Sequence, residues 1–345
     1  ERGFTQYTSN AGLPELRQEI ARHVAATYGV RYDPEGEIVV TVGVSEALDL
    51  ALRAILDPGD EVLIPEPCYV SYRPCTLVAG GVPVSVATRA SEGFRVLPER
   101  LAAAATRRTR ALLLNYPNNP TGATYRRPEL ERIADLARRH DWIVISDEIY
   151  ADLTYVAPHT CFAALPGMRE RTLLLNGFSK AYAMTGWRVG YACGPAELIG
   201  AMTKIHQYTM LCAPMPSQQA AIEALRGGRA ERDAMVAEYA DRRRYFVRRL
   251  NEIGLSCHEP EGAFYAFPRV TATGLSSEAF AERLLEEERV AVVPGNVFGP
   301  SGEGHVRCSY AASLADLEEA LARIERFVRR HAPAGRAEAA APARS

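Results

Sequence analysis

The feature that most constrains this chain is a series of short, apolar-rich runs set between segments of helical spacing. The runs are IVVTV at 38–42, EVLIP at 61–65, VPVSV at 82–86, ALLLN at 111–115, WIVIS at 142–146 and TLLLN at 172–176. Strands apolar along their whole length need cover on both faces, which is the situation of a parallel sheet flanked by helices. The covering helices are legible too. Leu13, Leu16, Ile20 and Val24 recur at helical spacing up to Gly29, and a helix is expected at 128–140. Another is expected at 45–56, with Ser45 as its N-cap and Asp57-Pro58-Gly59-Asp60 as its stop. The fold class is therefore α/β, a mostly parallel sheet sandwiched by helices. Ligands of such sheets gather at the carboxyl ends of the strands.

The second half changes character. Residues 196–226 read as helix with a break near Pro214-Met215-Pro216, and 229–253 as one long polar helix. Beyond it, strands near 263–267, 290–293 and 305–310 alternate with helices at 276–288 and 314–331, an α+β pattern. The expected division is a large domain over 1–226, a smaller α+β C-terminal domain over 227–331, and a disordered Ala/Pro-rich tail over 332–345. No apolar run is long enough to span a bilayer. No secretion signal is visible, although the chain opens at Glu1 rather than at Met. Lys+Arg 40 against Asp+Glu 42 leaves a net charge of −2, which argues against coating nucleic acid or a polybasic membrane anchor. The seven cysteines are scattered without CxxC spacing, so no zinc or disulfide framework is expected and a reducing, cytoplasmic setting fits.

Of the 40 basic residues only Lys180 and Lys204 are lysine. Arginine does not deprotonate in proteins, so a retained lysine can mark a need for amine chemistry. Lys204 falls in a helical stretch, AELIGAMTKIHQYTM, and is expected on its solvated face; the run DRRRYFVRRL at 241–250 is expected to be the exposed face of the long helix. Lys180 differs, because it follows a strand in NGFSKAYAMTGWRVG. There is no P-loop, no GxGxxG after a strand, no HExxH and no GxSxG, which removes the usual nucleotide, metalloprotease and hydrolase sites. Other strand ends offer Asn119 in NYPNNPTG, Asp147 and Tyr150 in SDEIY, and Tyr69 in IPEPCYVSY. The helix start GVSEA adds free N–H groups suited to a phosphate. Taken singly, each of these residues has an ordinary structural role; their gathering at the ends of one sheet is what points to a site.

These segments resemble the fold-type-I pyridoxal-5′-phosphate enzymes, specifically class-I/II aminotransferases of the aspartate/aromatic/alanine-like branch. The motifs are YTSNAGLPELR (7–17), NNPTG (118–122), SDEIY (146–150), FSKAYAMTGWRVGY (178–191) and VRCSYA (306–311), in the family's order. The resemblance implies pyridoxal 5′-phosphate as cofactor, held by Lys180 as a Schiff base, with Lys180 also the general acid–base. Asp147 would pair with the pyridine nitrogen, and Tyr150 and Asn119 with the ring's phenolic oxygen. Tyr69 would stack on the ring, while Arg188 and the backbone N–H groups of Val44 and Ser45 would grip the phosphate. Arg307, with Asn119 and Tyr69 beside it, would receive the substrate α-carboxylate. Tyr7 would reach the phosphate of a neighbouring subunit, so a homodimer with shared sites is implied. No metal is implied. Two departures stand out: Gly177 occupies a place where the family often has serine, with Ser179 nearby, and the chain starts almost at its first motif, where relatives carry an N-terminal arm. The implied activity is transfer of an amino group from an L-amino acid to a 2-oxo acid by a ping-pong mechanism. Alternatives on the same fold are a carbon–sulfur β-lyase and a pyridoxal-phosphate-sensing regulator domain.

Overall fold

The computed structural model describes residue 3 and residues 5–331, so the expected tail at 332–345 lies outside the described residues. A seven-stranded sheet forms the centre. Its strands are β1 (Ile38–Thr41), β2 (Glu61–Glu66), β3 (Val82–Ala87), β4 (Thr109–Asn115), β5 (Ile143–Asp147), β6 (Thr172–Gly177) and β7 (Gly190–Cys193), in the order β1-β7-β6-β5-β4-β2-β3. The pairs β3–β2, β2–β4, β4–β5 and β5–β6 are parallel, whereas β7 runs antiparallel to both its neighbours. Six strands match the runs read in the sequence. The seventh, β7, was not anticipated, because its four residues hide inside a Gly-flanked motif with too little length to show a period.

Helices cover both faces. One face carries α2 (Val44–Ile55), α3 (Tyr72–Val78) and α6 (Ala196–Thr209), whose Leu48, Ala51, Tyr72, Ile199 and Met202 pack on Val39, Ile64, Leu113, Ile145 and Leu175. The opposite face carries α1 (Pro14–Tyr28), α4 (Pro98–Ala104), α5 (Arg127–Arg139) and α7 (Met215–Gly227). Successive sheet residues alternate between these two cores, as the period of a strand requires. The break expected near Pro214 separates α6 from α7, since proline cannot donate the backbone hydrogen bond a continuing helix needs.

Helix α8 (Arg229–Ile253) leads to a second, three-stranded antiparallel sheet of β8 (Tyr265–Ala266), β9 (Val293–Pro294) and β10 (Val306–Ser309), with β10 in the middle. Helices α9 (Ser277–Glu288) and α10 (Leu314–His331) complete a separate core with Phe246, Leu250, Phe280, Leu321 and Phe327. The 241–250 run, expected as an exposed face, is exposed only in part: Asp241, Arg244 and Arg248 face solvent, Phe246, Val247 and Leu250 join this core, and Arg243 is buried, donates to the Pro260 carbonyl at 2.7 Å, and lies over the Tyr155 ring. Lys204 is exposed on α6.

The sheet edge beside α2 is held by glycine. A Cβ on Gly190 would stand 2.8 Å from both the Gly43 carbonyl carbon and the Val44 nitrogen, and one on Gly177 would stand 2.8 Å from the Gly190 Cα. Those neighbours are backbone and cannot swing aside. Gly190→Ala is therefore expected to destabilise the chain by about 1–3 kcal/mol, read as a lower urea midpoint; an unchanged midpoint would contradict this packing.

Candidate active site

The strand ends of the parallel sheet converge on a cavity of about 310 Å³, within the roughly 300–1,000 Å³ range of small-molecule sites. Asn115 ends β4 and pairs in register with Asp147 at the end of β5. The loop after β6 brings Ser179 and Lys180, and Tyr69 follows β2. Thr185 and Arg188 come from the turn before β7, and the start of α2 supplies Val44, Ser45 and Leu48. From the smaller sheet come Tyr265 on β8 and Arg307 on β10. Of the residues named from the sequence, Lys180, Asp147, Tyr150, Asn119, Tyr69, Arg188, Val44, Ser45 and Arg307 all line this cavity. Tyr7 does not line it and is 82 % exposed.

Helix α2 begins one residue earlier than expected, and its N-cap is Gly43 rather than Ser45. Gly43 has φ +78°, open to glycine, and a Cβ there would lie 2.6 Å from Arg188 Nη2. The absent side chain lets the guanidinium approach the helix start, where the N–H groups of Val44 and Ser45 have no acceptor in a preceding turn. Ser45, freed from capping, lines the cavity instead. Arg188 itself takes φ +50° and donates from Nη1 to the Thr185 carbonyl at 2.9 Å. The Gly177 departure has a steric cause, because Gly190 and Val189 fill the space a serine Cβ would need.

Asp147 is buried and accepts two hydrogen bonds, from Tyr72 Oη at 2.7 Å on Oδ2 and from the Ile149 backbone N–H at 3.2 Å on Oδ1. Burial is the largest influence on its carboxyl and pushes it up to about 6, against the pull of these donors and of Lys180. Lys180 is held below the ordinary lysine range, first by burial and then by the guanidiniums of Arg307 and Arg188. Its Nζ stands 5.7 Å from the ring centres of Tyr150 and Phe264. Arg307 donates from Nη1 to Asn119 Oδ1 at 2.9 Å, and its guanidinium lies 4.5 Å over the Tyr265 ring. Among the described residues, none of the three lining cations Lys180, Arg188 and Arg307 forms an ion pair with a carboxylate. Three unpaired cations around one cavity, two of them guanidiniums shaped for planar anions, suit a ligand carrying more than one negative group.

The sequence reading missed Tyr72, Asn115, Ile149, Thr185, Leu48 and Tyr265. Tyr72 had a signal, three residues beyond Tyr69 and one helical turn away; their rings meet edge to face at 5.6 Å. Tyr265 had none, because it reaches the cavity from another sheet. Among the described residues no cluster of His, Cys, Asp or Glu is placed to hold a metal, and no helix is long and apolar enough to cross a membrane.

Comparison with known proteins agrees in one direction. The family model for aminotransferase class I and II matches residues 1–324. The chain is 55 % identical over 328 residues to a putative aminotransferase, YugH, of Bacillus subtilis, covering 95 % of this chain and 85 % of that protein. It is 46 % identical over 330 residues to an aspartate aminotransferase of Pyrococcus abyssi, again covering 95 % and 85 %. The solved structure of an aromatic aminotransferase from Pyrococcus horikoshii superposes with TM-score 0.94 at 46 % identity, over 95 % of this chain and 89 % of that one.

The raised Asp147 carboxyl has a consequence for stability without ligand. Its folded pKa lies above the ordinary aspartate value, so the folded state holds the proton more tightly. The favourable contribution is present at low pH and is lost as pH rises from about 4 to about 6. Relative to Asp147→Asn, the unmodified protein should lose up to about 3 kcal/mol across that window, measured by urea unfolding at a series of pH values. A difference independent of pH would refute the assignment.

Proposed function

The chain belongs to the class I and II aminotransferases, and from that membership we propose that pyridoxal 5′-phosphate is its cofactor and that an amino group passes from an L-amino acid to a 2-oxo acid in two half-reactions. The reading is supported above all by three unpaired cations and one buried acid facing a single cavity. The residues present fit the cofactor. Arg188 and the open N–H groups at the start of α2 suit its phosphate, Asp147 its ring nitrogen, and Tyr69 its ring face. Tyr150 and Asn119 suit its phenolic oxygen, although Asn119 Oδ1 is already engaged by Arg307 and only its amide NH₂ remains to donate. The relatives compared are named for amino transfer, which does not favour the β-lyase alternative.

Pyridoxal phosphate, when bound, supplies the electron sink that acidifies the amino acid Cα–H and accepts the amino group. The chain's residues do the rest. Arg307 binds the substrate α-carboxylate with a planar fork and fixes which Cα substituent faces Lys180. Burial and two neighbouring guanidiniums keep a larger share of Lys180 neutral, and a neutral amine can attack a carbonyl or take the Cα proton. Asp147 is ionised above about pH 6, and its charge then favours a protonated ring nitrogen. Tyr69 and Tyr72 close one wall and limit water.

A homodimer belongs to the same proposal. Tyr7, Tyr208, Met210, Leu211 and Trp187 are exposed aromatic or apolar side chains, and Asn10 ties the Tyr7 segment to the Leu211 carbonyl at 2.7 Å. A second copy is the partner this face would meet, with Tyr7 delivered to its phosphate site. The divisions at 226/227, as two domains sharing the site, and a cytoplasmic location complete the reading.

Added pyridoxal phosphate should give the purified chain visible absorbance that Lys180→Ala lacks. Persistence of that absorbance in the variant would end the assignment. With an amino-donor panel and 2-oxoglutarate, Arg307→Ala should raise KM by on the order of 100-fold for every donor, consistent with about 3 kcal/mol for a lost charged contact. The panel also reads which side chain is preferred. Unchanged KM would remove the carboxylate role.

A further inference from the structure

Two hydrogen bonds join the smaller sheet to the larger one within this cavity. The first, Arg307 to Asn119, is already described. The second links Tyr265 on β8 to Tyr150 after β5, Oη to Oη at 3.0 Å, with both residues buried. Tyr265 has two engagements at once. Its ring lies under the Arg307 guanidinium at 4.5 Å, and its hydroxyl meets the phenol placed to face the cofactor ring. It pairs through Ser309 with the strand that carries Arg307, so any displacement of that strand is shared by Tyr265.

We infer that Tyr265 is a positioning residue that couples a carboxylate's arrival at Arg307 to the hydrogen bond Tyr150 offers the cofactor's phenolic oxygen. This rests on the cofactor reading above. The charged and titratable groups facing the two phenols are Arg307 on β10, Lys180 after β6, Asp147 on β5 and Tyr69 after β2. Burial raises both phenols, Tyr150 further than Tyr265, and the Arg307 guanidinium at 4.5 Å from the Tyr265 ring centre is closer than Lys180 Nζ at 5.7 Å from that of Tyr150, so Tyr265 is the more acidic of the pair. Either hydroxyl of the pair can donate; in the proposed arrangement the more acidic Tyr265 is the donor, so that Tyr150 keeps its own proton to give to the cavity. A phenol that accepts one hydrogen bond donates the next more strongly. Movement of Tyr265 changes the strength of the Tyr150 bond and, through it, the proton affinity of the nitrogen that Lys180 contributes to the bound cofactor.

The test is a pH titration of visible absorbance on the cofactor-loaded protein, with and without saturating acetate as a carboxylate that carries no amino group. In the unmodified protein acetate should displace the midpoint. Tyr265→Phe keeps the ring and removes the hydroxyl. It should raise the acetate-free midpoint by about half a pH unit, the size of a weakened hydrogen bond, and remove most of the acetate-induced displacement. In a Tyr150→Phe background the same change should do nothing further. Tyr265→Leu, which also removes the ring, should weaken acetate roughly threefold relative to Tyr265→Phe, and in Tyr265→Phe acetate affinity should lose most of its dependence on pH across the midpoint. A full acetate displacement in Tyr265→Phe, no displacement in the unmodified protein, or an undiminished effect of Tyr265→Phe without the Tyr150 hydroxyl would each overturn the inference. Absence of any visible absorbance in the loaded unmodified protein would instead overturn the cofactor reading on which it rests.

Discussion

The Arg188 guanidinium occupies the space that a side chain on residue 43 would take. That approach requires Gly43 at the cap of α2, and it requires Gly190 and Gly177 beside it so that the ends of β6 and β7 can come up against the helix start. A Cβ on Gly190 or Gly177 would push backbone apart, and one on Gly43 would displace the guanidinium itself. With the three glycines in place, a helix N-terminus and a guanidinium aim at one spot, and two independent sources of positive potential add there. Everything else in the cavity is arranged around this fixed anion-attracting corner.

The opposite end of the cavity poses an electrostatic problem that the structure balances with separation. Asp147 is the carboxylate buried in the cavity wall, and burial alone works against its charge. Tyr72 and the Ile149 amide offset part of that penalty by donating to it. Lys180 stands between this acid and two guanidiniums, so its amine feels burial and repulsion more than attraction. The acid is thus ionised near neutral pH while the amine is biased toward its uncharged form, the pairing that the proposed role of Lys180 calls for. Arg307 reaches this arrangement from the other sheet, seated on the Tyr265 and Phe298 rings and linked to Asn119.

Local pattern was enough for most of the scaffold. Six of seven central strands carry apolar runs long enough to read, and α10 is bounded as expected at 314 and 331. Strand β7 escaped because its four residues make no visible period. The α2 cap was misassigned because Ser45 has the chemistry of a cap, while the choice of Gly43 follows from the distant Arg188. Arg243 looked like one more exposed cation in a basic run. Its burial depends on the Pro260 carbonyl and the Tyr155 ring, both outside the helix that carries it.

By itself the sequence determined which residue types stand at which strand ends: a lone lysine after one strand, an acid after another, arginines within reach of both. Chain-local properties such as apolar period, turn chemistry and motif order carry that information. Only the tertiary structure decided how those groups act on one another. The Tyr72 donor to Asp147, the Tyr265 link to Tyr150 and the unpaired state of the three cations arise between segments up to 188 residues apart, as Asn119 and Arg307 are. Proton affinity depends on distance and burial, and neither quantity exists until the two sheets and their helices have packed.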